Sequence, residues 1–268
     1  MAYVYQEKAI ERIKKGLRRM QGIVERAIRD EYKEADTRKI VSDMLSEYLG
    51  WDKFENVTAE QMIGSRYADY VVKTKTEEVF VIEVKQVGLK LKETHLNQAR
   101  QYAVDEGIDW VILTNGDEWQ AYRTEMEGKI PVTRHVFTVR ITDPDVKPAE
   151  KARLLYLFSE EANRKKEIEA YYQRRIALSG RNLANHVLSD GVLNRIRIDL
   201  KNETGQILKN SEIAAALSKR LFAAEYDDEE SAKLVKKAER AERQKAQPQK
   251  PKQAEAEEAA EDPAEQQE

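Results

Sequence analysis

Hydrophobic positions change their period along this chain, and the changes divide it into elements. Val4, Ile10, Ile13, Leu17, Met20, Val24 and Ile28 recur at spacings of three and four, which predicts one amphipathic helix over residues 3–30. A second stripe, Ile40, Val41, Met44, Leu45 and Tyr48, predicts a helix over 36–49, and Gly50 is a natural stop. Alternation then replaces the helical period. Residues 66–73 (RYADYVVK) and 78–86 (EEVFVIEVK) read as strands joined by a polar turn. A helix over 93–106 and a strand DWVILT follow. Asn115-Gly116 carries the signal of a tight hairpin whose returning strand is EWQAYR. A last strand over 132–141 precedes Asp143-Pro144, where a domain boundary is expected. This order predicts an α/β class: a mixed sheet flanked by helices.

From Pro148 to Leu221 the pattern is helical throughout. Leu154, Leu155 and Phe158, then Ile168, Tyr171, Tyr172 and Ile176, predict a long or broken helix, and Val192–Leu200 and Glu212–Leu221 two more. The expected division is an N-terminal helix at 1–30, the sheet domain at 31–142, a helical C-terminal domain at 147–223 and a charged tail at 224–268. No aromatic residue follows Tyr226, and beyond about 245 the composition predicts disorder. The formal charge of −3 hides an asymmetry: the stretch from Glu225 carries 14 acidic and 8 basic residues, so the body before it is mildly basic. That balance permits a nucleic-acid partner without demanding one. There is no cysteine, which excludes disulfide scaffolds, thiol nucleophiles and cysteine zinc sites. Three histidines, at 95, 135 and 186, do not favour a histidine-rich metal site. No run approaches the roughly 18 apolar residues of a membrane span, and the expected location is the cytoplasm, away from membranes.

Val79 to Lys85 is the most informative segment. Val79, Val81, Glu83 and Lys85 share one face of the strand, and Phe80, Ile82 and Val84 the other. Both faces begin apolar, which marks a central buried strand, and a carboxylate and an ammonium at its end demand partners. Asp69 occupies a similarly apolar strand and approaches Glu83 if the two strands form a hairpin. Two carboxylates held together repel, and a divalent cation relieves that repulsion; with no His or Cys nearby, Mg2+ or Mn2+ suits the oxygens. An isolated Glu-x-Lys is more often a solvated edge or an ion pair. Gln98 and Tyr102 follow, four apart on one face of the next helix.

Asp69, then Glu83-Val84-Lys85, then Gln98-x-x-x-Tyr102 resembles the PD-(D/E)xK nuclease superfamily, in the branch with a Gln-x-x-x-Tyr motif. More narrowly, ADYVV, VFVIEVK, LNQARQYA and DWVILTNGDEWQAY are similar to the N-terminal nuclease domain of type I restriction enzyme motor subunits, in a stand-alone form. The stretch EADTRKIVSDMLSEYLGWD fits the helix leading into that domain, and the resemblance spans about residues 30–125. Ala68 stands where the superfamily has Pro, a residue that shapes the strand. No G-x-x-x-x-G-K-[ST] loop occurs, so the chain is not itself the ATP-driven motor.

The resemblance implies a restriction-endonuclease-like core and metal-dependent DNA cleavage in restriction or defence. Asp69, Glu83 and the Val84 carbonyl would hold the metal, with Glu34 as an added acid. Lys85 would orient or help deprotonate the attacking water, Gln98 and Tyr102 would position the substrate strand, and Arg66 would contact a phosphate. Expected partners are DNA and restriction, methylase or helicase subunits, with oligomerisation through the helical region. The competing reading keeps the fold as a nucleic-acid-binding or regulatory module without turnover. In the helical part, Val192–Leu200 and Glu212–Leu221 are compatible with a helix-turn-helix presenting Arg195, Arg197, Lys219 and Arg220, but the connection exceeds the usual three or four residues, which favours a plain helical packing or oligomerisation domain.

Overall fold

A computed structural model describes residues 4–63 and 66–220; the side chains of residues 61–67 and 220 lie outside that description. Contacts divide the chain into two units, one ending at Arg174 and one beginning at Arg175. The first is built on one sheet whose strands lie in chain order: β1 (Val57–Ile63), β2 (Arg66–Lys73), β3 (Glu78–Val84), β4 (Trp110–Thr114), β5 (Glu118–Glu127) and β6 (Ile130–Arg140). Neighbouring strands are antiparallel except β3 and β4, which run parallel. A parallel pair needs a crossover, supplied here by a short 3-10 turn over Glu93–Leu96 and α3 (Asn97–Glu106). Val79 to Val84 and all of β4 are buried, as two-sided apolar runs require.

The two faces of the sheet carry different cores. On one, Val71, Val81, Val111 and Leu113 pack with Leu96, Ala99, Tyr102 and Ala103 of the crossover. On the other, Tyr70, Phe80, Ile82, Ile112 and Trp119 pack with residues of α1 (Val4–Arg29), α2 (Glu34–Asp43), α4 (Pro148–Tyr156) and α6 (Glu167–Ala177). A short α5 (Glu160–Arg164) joins α4 to α6. Glu167 fastens this layer, accepting hydrogen bonds from Tyr5 (2.9 Å), Gln6 (2.9 Å) and Tyr156 (2.9 Å).

Several expectations need correction. The boundary at Asp143-Pro144 is only a turn: Leu155, Tyr156, Phe158, Ile168 and Tyr172 are buried in the sheet's own core, so the first unit continues to Arg174. The N-terminal helix is no separate element either, since Ile13, Leu17 and Met20 enter the same core. β1 was not anticipated; it is an edge strand with Ala59 and Glu60 exposed, stabilised by its pairing with β2 more than by any pattern of its own. The second helix begins at Glu34 and ends in a π-type turn over Met44–Tyr48 before Gly50, whose φ of +80° suits glycine. There Trp51 donates its indole N–H to the Phe158 carbonyl at 2.8 Å.

The second unit contains α7 (Gly180–Val187), α8 (Asp190–Thr204) and α9 (Asn210–Arg220) among the described residues. Its core is Leu188, Leu193, Ile213 and Ala214, flanked by Ile196, Leu200, Leu208 and Leu217. The predicted helix pair is present as α8 and α9, while α7, two turns long, is too short to show a separate apolar stripe in the sequence. Arg195 pairs with Asp199 along α8 at 3.1 Å. The charged tail expected over 224–268 lies outside the described residues.

Gly16 tests the α1 packing by the sign of its effect. A Cβ at this position would lie 2.3 Å from the Tyr48 ring. An exposed helical Gly→Ala change stabilises by about 1 kcal/mol. Gly16→Ala should instead destabilise by about 1–3 kcal/mol through overpacking, read from denaturant unfolding.

Candidate active site

The sequence places charges at the carboxyl end of the parallel β3–β4 pair. Tyr70 lies opposite Ile82 in the β2–β3 ladder, so the next step of the same register sets Asp69 against Glu83. Both alternate onto the α3 face with Val71 and Val81. Glu83 is only 4% exposed. Its Oε1 accepts a hydrogen bond from Lys85 Nζ at 2.5 Å, and Asp69 Oδ2 accepts from the Val84 N–H at 2.7 Å. Lys85 donates its own backbone N–H to Thr114 at 2.8 Å, which extends the parallel ladder to the lysine.

Helix α2 closes the strand ends from the other side. Thr37, fully buried, donates to the Lys33 carbonyl and accepts from the Val87 N–H at 3.0 Å, clamping the first turn of α2 to the segment leaving β3. The β4–β5 turn fits beneath. Asn115 Oδ1 accepts from Asp117 and Glu118 N–H groups, and Gly116 at φ +83° places its Cα side against Thr37. Glu34, at the start of α2, thereby comes within 3.8 Å of Lys85. One turn on, Arg38 Nη1 donates at 3.2 Å to Asp69 Oδ1 and at 3.2 Å to Glu60 Oε1.

Three carboxylates, Glu34, Asp69 and Glu83, thus face two cations, Lys85 and Arg38. Burial pushes the Glu83 carboxyl up to about 7; Lys85 opposes the rise, and the charges of Asp69 and Glu34 add to it. Burial works against the Lys85 ammonium, but Glu83 foremost, then Glu34 and Asp69, hold its pKa above the ordinary lysine value.

The structure brings together Asp69, Glu83, Val84, Lys85 and Glu34. Gln98 and Tyr102 have different surroundings. Helix α3 runs back from the end of β3 towards the start of β4, so Gln98 lies in its first turn near the strand ends, exposed and without a hydrogen bond to the carboxylates. Tyr102 is 1% exposed, in the core between α3 and the sheet, and its hydroxyl has no hydrogen-bond partner. Burial first, then Glu78 and Glu106 near the opposite end, push its pKa up to about 12. Tyr102, expected to position the substrate strand, instead lies in the core one helical turn beyond Gln98. Arg66 opens β2, and its side chain is outside the described residues. Nothing in the sequence alone singles out Arg38 among the many basic residues. Its position one turn after Glu34 puts both on one helix face.

Among the described residues no three His, Cys, Asp or Glu side chains form a ready-made metal cage. The donors nevertheless suit a hard cation. Mg2+ commonly takes one or two carboxylates and completes its shell with water and substrate oxygens. Excess negative charge around a buried Glu83 is what such an ion would offset.

The sheet unit is thus a mixed α/β domain with an acid–acid–lysine group at the end of its parallel pair. Residues 33–134 match the family of the type I restriction enzyme R protein N terminus, and over that segment the chain is similar to the N-terminal nuclease domain of those R subunits. The matched segment covers α2 and the sheet from β1 into β6. No curated protein and no solved structure gave a match. No helix among the described residues is long and apolar enough to cross a membrane.

The Glu83 shift has a consequence for stability in metal-free protein. Its folded pKa, about 7, lies above the unfolded value of 4.5, so between these values the folded state holds a proton that the unfolded state has released. Glu83 therefore favours folding below pH 4.5, and this contribution is lost as pH rises to 7, by up to about 3 kcal/mol. Relative to Glu83→Gln, wild-type stability should fall across this window in urea titrations. Parallel curves would contradict the placement of Glu83.

Proposed function

We propose that the sheet unit is a metal-dependent DNA endonuclease acting in restriction or defence against foreign DNA. The observation that carries this reading is the buried Glu83 opposite Asp69, with Lys85 two residues on, at the exit of a central parallel strand. Asp69, Glu83 and the Val84 carbonyl would hold Mg2+ or Mn2+, with Glu34 available as a further acid. The bound ion would polarise the scissile phosphate and supply a water of lowered pKa.

The remaining work falls to the chain's own groups. Lys85, tethered between Glu83 and Glu34, orients the attacking water and offsets negative charge developing on the phosphate. Gln98, exposed near the strand ends, has an amide that both donates and accepts, which suits positioning of a substrate strand. Arg66 is retained as a phosphate contact on its place at the start of β2. DNA is the proposed substrate, and methylase, helicase or other restriction subunits are the proposed partners. The helical unit is proposed as a surface for self-association.

One observation favours a second reading, a nucleic-acid-binding or regulatory module without turnover. The site carboxylates already have internal partners: Lys85 for Glu83, Arg38 and the Val84 N–H for Asp69. Cleavage of duplex and single-stranded DNA with Mg2+ or Mn2+ separates the two. Persistent binding without cleavage, unchanged by Glu83→Gln, selects the module.

The nuclease reading demands a dissociation among variants. Asp69→Asn and Glu83→Gln should lose both manganese binding, by calorimetry, and cleavage, because each removes charge that holds the ion. Gln98→Ala should keep manganese binding and fold yet lose cleavage on the order of a hundredfold, the effect of misplacing the substrate by about 1 Å. A wild-type rate in Gln98→Ala would remove that residue from the site.

Tyr102→Phe should behave oppositely. Its hydroxyl is buried without a partner, so deleting it relieves a desolvation penalty of about 1–3 kcal/mol. Equal or greater thermal stability with full cleavage is expected. A large loss of activity would return the phenol to the substrate.

A further inference from the structure

Asp69 is the middle member of a row of carboxylates. Glu83 opposes it from β3, and Glu60, on β1, reaches the same guanidinium that Asp69 does. Such a row is unfavourable without positive charge between its members. Lys85 serves Glu83 and Glu34. The cation that serves Asp69 is Arg38. Its place is firm, because the Arg38 backbone carbonyl accepts the Tyr70 hydroxyl at 2.9 Å, pinning this turn of α2 to β2. Its head is not enclosed: the side chain is 28% exposed and that of Glu60 71% exposed.

We propose that Arg38 is the built-in counterion of this site, competing with a divalent cation for Asp69 and turning to a substrate phosphate once that cation is bound. The proposal rests on the metal-site reading above and adds a residue to it. A divalent ion held by Asp69 would place like charges on either side of one carboxylate, and Coulomb repulsion between them weakens both attachments. Arg38 yields the more readily of the two because its head is partly solvated and Glu60 keeps it near the strand ends. That Glu60 pair is a surface contact of low intrinsic strength, so it retains the guanidinium without locking it. A planar guanidinium released there is well suited to a phosphate, which it can grip through two parallel N–H groups. Simple support of Asp69 by Arg38 predicts the reverse: removing the arginine would then disorder the carboxylate and weaken the metal.

The test uses the full chain and compares wild type, Arg38→Gln and Arg38→Lys. Manganese affinity is measured by calorimetry, and duplex DNA affinity by fluorescence anisotropy with and without calcium, which takes the same class of oxygen ligands. Arg38→Gln should bind manganese about tenfold more tightly, because a charge-assisted hydrogen bond to Asp69 no longer has to be surrendered. Arg38→Lys, too short to bridge both carboxylates, should gain part of that tightening, which keeps the test informative if the glutamine variant does not fold. Calcium should raise duplex affinity in wild type more than in Arg38→Gln. Unchanged or weaker manganese binding in both variants overturns the proposal while leaving the nuclease reading intact. A wild-type protein that binds no manganese overturns both.

Discussion

A carboxylate at the end of a strand buried on both faces is the constraint around which the sheet unit is arranged. Glu83 cannot meet bulk water, and an unpaired buried charge would cost several kcal/mol. Its neighbours answer that cost in different ways. Lys85 supplies a charged hydrogen bond from the same strand, and the raised carboxyl pKa shows how incomplete that compensation is. Asp69 adds repulsion to the same locus, and α2 has to bring Arg38 there to balance it. The arrangement is electrostatically tense in the free protein, with more carboxylates than cations at one locus.

The architecture explains why this tension is placed where it is. The carboxyl end of the parallel pair carries the segment leaving β3 and the β4–β5 turn, and ligands in α/β sheets favour such ends. Three segments converge on it. The β4–β5 turn closes against Thr37, the segment after Lys85 is fastened to α2 through Val87, and Asn115 donates to the Leu89 carbonyl. The first turn of α3 begins alongside. The polar groups therefore rest on backbone held by buried hydrogen bonds, while Arg38 and Glu34 stay partly exposed.

The second face of the sheet serves stability. There α1, α4 and α6 cover Phe80, Trp119 and Phe137, and Trp51 at the Leu-Gly-Trp corner ties α2 to Phe158. The long N-terminal helix and the helices after β6 belong to this layer, although they lie largely outside the segment 33–134 that matches the restriction family. Their contribution is to bury one side of β3, which in turn makes its terminal charges consequential.

Much of this was readable in the order of residues. Period and turn chemistry located β2 through β6, the crossover helix and the hairpin at Asn115-Gly116, because a strand buried on both faces and an Asn-Gly turn are local properties. Asp69, Glu83 and Lys85 were readable for the same reason: charge inside an apolar alternation is anomalous wherever the strand pairs. β1 was not, since an exposed edge strand borrows its stability from β2. Nor was the extent of the first unit, because Ile168 and Tyr172 reveal which core they enter only when the chain has closed. Tyr102 and Arg38 mark the limit most sharply. A spacing of four places Gln98 and Tyr102 on one face of α3, yet one helical turn is about 5.4 Å, enough to leave Gln98 near the strand ends and carry Tyr102 into the core. Arg38 is one charge among many in the sequence, and only the clamping of α2 onto the end of β3 makes it the cation that Asp69 meets. The sequence by itself determined which local elements form and which residues are anomalous within them. The tertiary structure alone decided which anomalies share a site, because through-space charge and burial depend on contacts between segments distant along the chain.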